Sequence, residues 1–185
     1  AKGVIHRDLK PSNVMLDAAG PVRVLDFGLA RSVESGSTLT ASGIMVGTPA
    51  YMSPEQARGE RADERTDVYG LGAMLYELLT GCAPFAGSDV LSIVMRVIEE
   101  DPVPLRRLVP GIGPDLEAVV LTCLEKEPRR RYSSAQELAE ELDRWLRGEP
   151  VTAGRTGGAR RLLRRLSRRR WLSPAAILGA VLVPV

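Results

Sequence analysis

The stretch His6-Arg7-Asp8-Leu9-Lys10-Pro11-Ser12-Asn13, followed by Asp26-Phe27-Gly28, decides how this 185-residue chain is read. It places two carboxylates, an amide and an ammonium within a short length of sequence. Asp8 and Asn13 are close enough to share one loop. Val14-Met15-Leu16 and Val22-Arg23-Val24-Leu25 read as short strands on either side of a turn at Asp17-Ala18-Ala19-Gly20-Pro21. A hairpin of that kind returns Asp26 beside Asn13. Such a set suits movement of a phosphoryl group, which asks a protein for positioning and for positive charge held against developing oxygen charges. One Asp can orient an attacking hydroxyl, a second Asp and an Asn can hold divalent metal, and a Lys can sit near the moving phosphate. The bland alternative is an ordinary hairpin with solvated carboxylates. A third segment, Gly47-Thr48-Pro49-Ala50-Tyr51-Met52-Ser53-Pro54-Glu55, follows further along the chain.

Together these segments resemble the catalytic loop, the metal-binding turn and the end of the activation segment of the protein kinase family. The match of all three to one family's motifs is what opposes the ordinary hairpin. The resemblance implies that Asp8 orients the substrate hydroxyl and that Lys10 stabilises the transferring phosphate. It makes Thr48 the residue that hydrogen-bonds both. Lys10 followed by Pro11 is similar to the serine/threonine branch. By the same resemblance Asn13 and Asp26 bind Mg2+ bridging the phosphates of ATP, and Met15 floors the adenine pocket; both proposed ligands are hard oxygen donors. His6 and Phe27 correspond to members of a hydrophobic stack. Asp67 corresponds to a helix aspartate that bonds the catalytic-loop backbone, and Glu55 and Arg131 to a buried ion pair. Arg7, directly before Asp8, implies control by a phosphate on the activation segment, with Thr40 and Ser42 the best-placed acceptors.

From residue 66 the pattern turns helical. Residues 66–80 are apolar on all sides, as suits a buried central helix stopped by Gly81. Further helices are expected over 88–99, 115–125 and 134–146, the last capped by Ser133 or Ser134 with Glu137 in its first turn. Leu138, Leu142, Trp145 and Leu146 are expected in its core face, and Gly70-Leu71-Gly72 reads as helix packing. Cys82 and Cys123 lie in apolar contexts without a pairing motif, so both are expected as buried thiols of a reducing compartment. With His6 the only histidine, no histidine metal site can form. The expected fold is mainly α (α+β): a protein-kinase C-lobe over 1–147 with short β-hairpins at the catalytic loop.

The net charge of +2 hides a division. Arg155, Arg160, Arg161, Arg164, Arg165, Arg168, Arg169 and Arg170 have no acid among them or after them. The remaining 17 basic residues face 23 acidic ones. Residues 148–170 therefore read as an Arg-rich juxtamembrane linker. Trp171 and the uncharged run to Val185 read as the start of a transmembrane helix, shorter than the roughly 20 residues a span needs. A disordered linker or a nucleic-acid-binding cluster fits this order of residues less well. The whole is similar to the bacterial receptor-type serine/threonine kinases, a group in which Gly148-Glu149-Pro150-Val151 also looks like the junction after the kinase domain.

The resemblance therefore implies a membrane-anchored serine/threonine kinase, single-pass at the plasma membrane with its kinase part cytoplasmic. It would act on protein substrates and pair with a second copy for trans-phosphorylation. The glycine-rich loop, strand lysine and helix glutamate of the family's N-lobe have no match in this sequence, so the chain alone is expected to be inactive. A catalytically dead scaffold is the rival reading, which the presence of Asp8, Asn13 and Asp26 opposes. A small-molecule phosphotransferase is a second rival, and the segment from Gly47 to Glu55 opposes that one.

Overall fold

The computed structural model describes residues 4–17, 20, 22–26 and 49–153. Among them the chain is mostly helical, with one small antiparallel sheet of β1 (Val14–Met15) and β2 (Arg23–Val24), in register Val14 to Val24 and Met15 to Arg23. A 3-10 turn at Pro11–Asn13 leads into β1. A second one at Pro49–Tyr51 precedes α1 (Pro54–Ala57). There follow α2 (Glu64–Thr80), α3 (Val90–Glu99), α4 (Leu105–Leu108), α5 (Pro114–Cys123), a 3-10 turn at Pro128–Arg130, and α6 (Ala135–Leu146).

Local chemistry explains most of these boundaries. Asp63 caps α2 by accepting from Arg65 N–H, and Gly81 ends it at φ +76, a backbone state that other residues rarely adopt. Asp89 and Ser92 form a reciprocal capping box on α3, which starts two residues later than expected because Asp89 sits outside the helix. Pro114 occupies the first turn of α5, where its missing N–H removes nothing. Ser134 caps α6, and Glu137 reaches back to the N–H and hydroxyl of Ser133. The four-residue helices α1 and α4 carry too few residues for a periodic pattern, and were not anticipated.

The core is built around α2. Val68 joins Val119, Cys123, Tyr132 and Leu138 on one side. Its neighbour Tyr69 joins Ala73, Tyr76, Leu105, Leu116, Val120 and Leu124 on the other. Consecutive residues point about 100° apart on a helix, so α2 buries a broad face but is not buried all round: Leu78 near its end is 76% exposed. Gly72 lets α5 approach: a Cβ there would stand 2.3 Å from Cys123 Cβ.

Three expectations need correction. Cys82 is exposed, not buried, because it lies beyond the Gly81 cap in the loop after α2. Trp145 and Leu146 are 37% and 71% exposed; Leu146 points about 80° away from the buried Leu138, and the core position beyond α6 is filled by other residues. Those residues are Val151 and Ala153. The chain turns at Gly148 (φ +70), and Glu141 then receives the N–H groups of Thr152 and Ala153 at 2.9 and 3.2 Å. Val151 and Ala153, assigned above to the linker, are thus packed on the helical unit, while Gly148, Glu149, Pro150 and Thr152 stay exposed. Burial pushes the Glu141 carboxyl up, but its bonds from Thr152, Ala153 and Arg144 outweigh burial and hold it below the usual glutamate range.

Among the described residues no helix is long and apolar enough to cross a membrane. The expected span at 171–185 and the basic stretch from Arg155 lie outside the described residues.

Candidate active site

Asp8 sits in a loop whose backbone is held from α2. Asp67 accepts the N–H of His6 through Oδ2 and that of Arg7 through Oδ1, both at 2.8 Å. Between them Gly70 makes room for Leu9, since a Cβ at residue 70 would lie 3.0 Å from Leu9 Cβ and 3.3 Å from its carbonyl oxygen. Leu9 is buried there, so the loop is nailed to the central helix by one carboxylate and one leucine. Arg7 itself has φ +68, a region that non-glycine residues seldom occupy. Its side chain is exposed.

The polar side chains converge on Asp8. Lys10 Nζ donates to Asp8 Oδ2 at 2.8 Å, and Asn13 Nδ2 donates to Asp8 O at 2.8 Å and to Oδ2 at 3.2 Å. The Asp8 side chain keeps 44% of its surface open to solvent, while Lys10 keeps 19% and Asn13 is buried. An open carboxylate held by two fixed donors is a group that can meet an incoming hydroxyl without first reorganising.

The hairpin delivers Asp26. Leu25 N–H donates to the Asn13 carbonyl at 2.8 Å, which brings the chain just before Asp26 against Asn13. Asp26 has φ +53 and is exposed, so its carboxylate is aimed by an uncommon backbone state. His6 adds a second tie across the same gap. Its Nδ1 accepts Asp8 N–H at 3.3 Å, so the ring proton sits on Nε2, which donates to Leu25 O at 2.9 Å. Met15, on β1, is 54% exposed and so open to a planar ligand.

The carboxylate of Asp26 and the amide oxygen of Asn13 suit Mg2+ by their chemistry. Asn13 commits its Nδ2 to Asp8, which leaves its oxygen end facing away from that residue. Among the described residues no group of three or more His, Cys, Asp or Glu side chains could hold a metal ion by itself. One carboxylate and one amide is the protein share typical of Mg2+ held together with phosphate oxygens.

A second group of residues anchors the segment that follows Thr48. Glu55 and Arg131 form a bidentate ion pair, Nη1 to Oε1 and Nη2 to Oε2 at 2.7 Å each, with the two side chains 3% and 0% exposed. Burial pushes the Glu55 carboxyl up, but the Arg131 bonds and charge and the Thr66 hydroxyl hold it below its ordinary value. Tyr51 donates to Glu77 on α2. Burial, then the bond and charge of Glu77, push the Tyr51 phenol up. Lys126 is buried, donates to Val97 O at 2.6 Å and lies 4.0 Å over the Phe85 ring, fixing the end of α3 against which α1 packs.

Asp8, Lys10, Asn13, Arg7, His6 and Asp67 are therefore gathered in one place, with Asp26 and Met15 brought in by the hairpin. Glu55 and Arg131 form a separate structural pair. Thr48, Phe27, Thr40 and Ser42 lie outside the described residues. Sequence reasoning passed over Gln56, whose Nε2 donates to the Arg7 carbonyl at 2.7 Å, and the pairs Tyr51–Glu77 and Glu141 with residues 152–153. Only Gln56 left a signal: Ser53-x-x-Gln56 is a capping-box spacing.

Comparison with known proteins identifies the family of the chain. Residues 1–142 match the family model described as the protein kinase domain. Serine/threonine-protein kinase PknB of Mycobacterium tuberculosis is 47% identical over 152 residues, 82% of this chain and 24% of that protein. The PknB of Mycobacterium leprae is 46% identical over 151 residues, 82% and 24% of the two chains. A probable serine/threonine-protein kinase of Streptomyces coelicolor, SCO3848, is 44% identical over 158 residues, 85% and 24%. The chain thus spans about a quarter of the length of these relatives.

Proposed function

This chain belongs to the protein kinase family, and we propose that it carries the phosphoryl-transfer centre of a serine/threonine protein kinase acting with ATP and Mg2+. The observation that carries the reading is the convergence of Lys10 Nζ and Asn13 Nδ2 on an open Asp8 carboxylate, with the chain leading to Asp26 bonded to Asn13. The names of the relatives, all serine/threonine kinases, support the choice of acceptor.

In this reading a serine or threonine hydroxyl of a protein approaches Asp8. Its oxygen bonds to the γ-phosphorus of ATP as the bond from that phosphorus to the β,γ-bridging oxygen breaks. The hydroxyl proton passes to the Asp8 carboxylate, and ADP departs with the electron pair of the broken bond. Lys10, 2.8 Å from Asp8 Oδ2, holds its positive charge where the transferred group must pass. Asn13 and Asp26 would hold Mg2+, whose charge offsets that of the phosphates. The exposed Arg7 side chain would receive an activation-segment phosphate on Thr40 or Ser42 placed by a second copy of the kinase.

The same proposal puts the protein at the plasma membrane, kinase side cytoplasmic. Eight arginines from Arg155 to Arg170, then Trp171, then an uncharged run to Val185, follow the order expected of a positive-inside membrane entry. Sedimentation of the full-length protein with membranes after alkaline washing tests that part; recovery in the soluble fraction overturns it.

The catalytic part is tested by Asp8→Asn in the full-length protein. Transfer to a protein substrate should fall by about 100- to 10,000-fold, as expected for loss of a general base, with nucleotide binding nearly unchanged. Undiminished phosphorylation sinks the assignment.

A further inference from the structure

We propose that Gln56 is a positioning residue for Asp8, joining the segment after Thr48 to the catalytic loop through the Arg7 carbonyl. The inference rests on the phosphoryl-transfer reading of Asp8 given above. Gln56 is nearly buried on α1, a short helix remote from Arg7 in sequence. Its Nε2 donates to Arg7 O at 2.7 Å. Its Oε1 accepts from Ser53 N–H at 3.1 Å and from the Ser53 hydroxyl at 3.2 Å. The two ends of one amide are thus occupied by different parts of the chain, and that leaves the side chain a single orientation.

Arg7 is the residue that needs such a hold. Its φ of +68 is unfavourable for a side-chain-bearing residue, and its peptide groups are gripped on both sides. The N–H goes to Asp67 Oδ1 at 2.8 Å from α2, and the carbonyl goes to Gln56 from α1. That carbonyl belongs to the peptide that starts Asp8. Rotation of this one peptide swings the Asp8 carboxylate away from Lys10 Nζ and Asn13 Nδ2, which lie 2.8 and 3.2 Å from it. Apart from Gln56, the peptide between Arg7 and Asp8 has only the longer bond from Asp8 N–H to His6 Nδ1, at 3.3 Å; Gln56 supplies the short bond at its carbonyl end. Because α1 is also fixed by the Glu55–Arg131 pair, the bond transmits the placement of the segment after Thr48 to the aspartate.

The test uses Gln56→Met, similar in volume but without the donor, and Gln56→Glu, which keeps the acceptor for Ser53 and replaces the donor with an oxygen facing the Arg7 carbonyl. Ser53→Ala serves as the control: it removes the hydroxyl from the helix cap and from Gln56 Oε1, while the Ser53 N–H still holds Oε1 and Nε2 keeps its bond to Arg7. All three are made in the full-length protein. The expected result is a fall in kcat of about tenfold or more for Gln56→Met and a larger one for Gln56→Glu, with the KM for ATP within about twofold and Ser53→Ala close to normal. Amide hydrogen exchange at Arg7 and Asp8 should speed up in both Gln56 variants, a readout that needs no activity. If the unsubstituted protein transfers no phosphate, the functional reading fails while the exchange data still decide the positioning claim. Unchanged exchange at residues 7 and 8 overturns the proposal, as does a kcat loss that Ser53→Ala reproduces. Should Gln56→Met not fold, Gln56→Glu alone decides between these outcomes; a Gln56→Glu protein with normal kcat and normal exchange also overturns it.

Discussion

Replacing Arg131 by methionine removes the most heavily used side chain among the described residues. The guanidinium donates to both Glu55 oxygens at 2.7 Å, to Arg65 O at 2.9 Å, to Glu125 O at 2.8 Å and to Lys126 O at 3.3 Å. It also lies 4.9 Å from the Tyr69 ring centre. Both members of the ion pair are out of water, at 0% and 3% exposure, so the carboxylate left behind cannot be rehydrated in place. Breaking a buried pair of this kind costs about 3–5 kcal/mol, against a typical domain stability of about 5–15 kcal/mol. In Arg131→Met the Glu55 carboxylate retains the Thr66 hydroxyl at 2.9 Å, which is too little to offset burial. The pH dependence follows from the same geometry. In the unsubstituted protein Glu55 is held below its ordinary value, so its contribution is complete above that value and is lost as pH falls through the lowered one. Without Arg131 the burial that pushes the carboxyl up is opposed only by the Thr66 hydroxyl and the Glu55 backbone N–H, and the variant is relieved when Glu55 takes a proton. The stability gap should therefore be widest near pH 8 and narrow towards pH 5. Urea denaturation at several pH values, with a Glu55→Leu partner to close a double-mutant cycle, measures both quantities. A gap under about 1 kcal/mol at pH 7, or one identical at pH 5 and pH 8, refutes the reasoning.

Gly72→Ala should destabilise by about 1–3 kcal/mol, because its new methyl meets Cys123 Cβ at 2.3 Å; Cys123→Gly in the same chain should restore part of the loss in a thermal melt. A thiol reagent should modify Cys82 quickly in the folded protein and leave Cys123 untouched until unfolding, since burial pushes the Cys123 thiol up and shields it; two fast thiols per chain contradict the fold. Glu141→Ala strands the N–H groups of Thr152 and Ala153, so hydrogen exchange at these two residues should accelerate and stability fall by about 1–3 kcal/mol; unchanged protection shows that the segment is held otherwise.

The grouping of the candidate site was legible because it is local. Asp8, Lys10 and Asn13 lie within one loop, and the short turn between β1 and β2 allows few ways to return Asp26; the roles given to these residues came from resemblance to the kinase motifs. The cap of α6 at Ser134 was legible for the same reason, while the caps of α2 and α3 at Asp63 and Asp89 were passed over and both starts were placed two residues off. Trp145 and Leu146 misled because an apolar residue in the last turn of an amphipathic helix looks like core until something else takes the space. Here Val151 and Ala153 do, after a reversal at Gly148 that no periodicity announces. Cys82 misled because its apolar neighbours belong to a helix that has already ended.

What the amino-acid sequence determined by itself was the inventory of polar groups at the candidate site, their order and the helical character of the unit that carries them. Hydrogen-bonding capacity, charge and periodicity are properties of residue types, and they survive without coordinates. What only the tertiary structure decided was orientation: the Arg7 peptide clamped between Asp67 and Gln56, α5 drawn onto Gly72, and the chain after α6 folded back onto Glu141. Each of these joins segments far apart in the chain, and whether two such segments meet depends on the packing of everything between them.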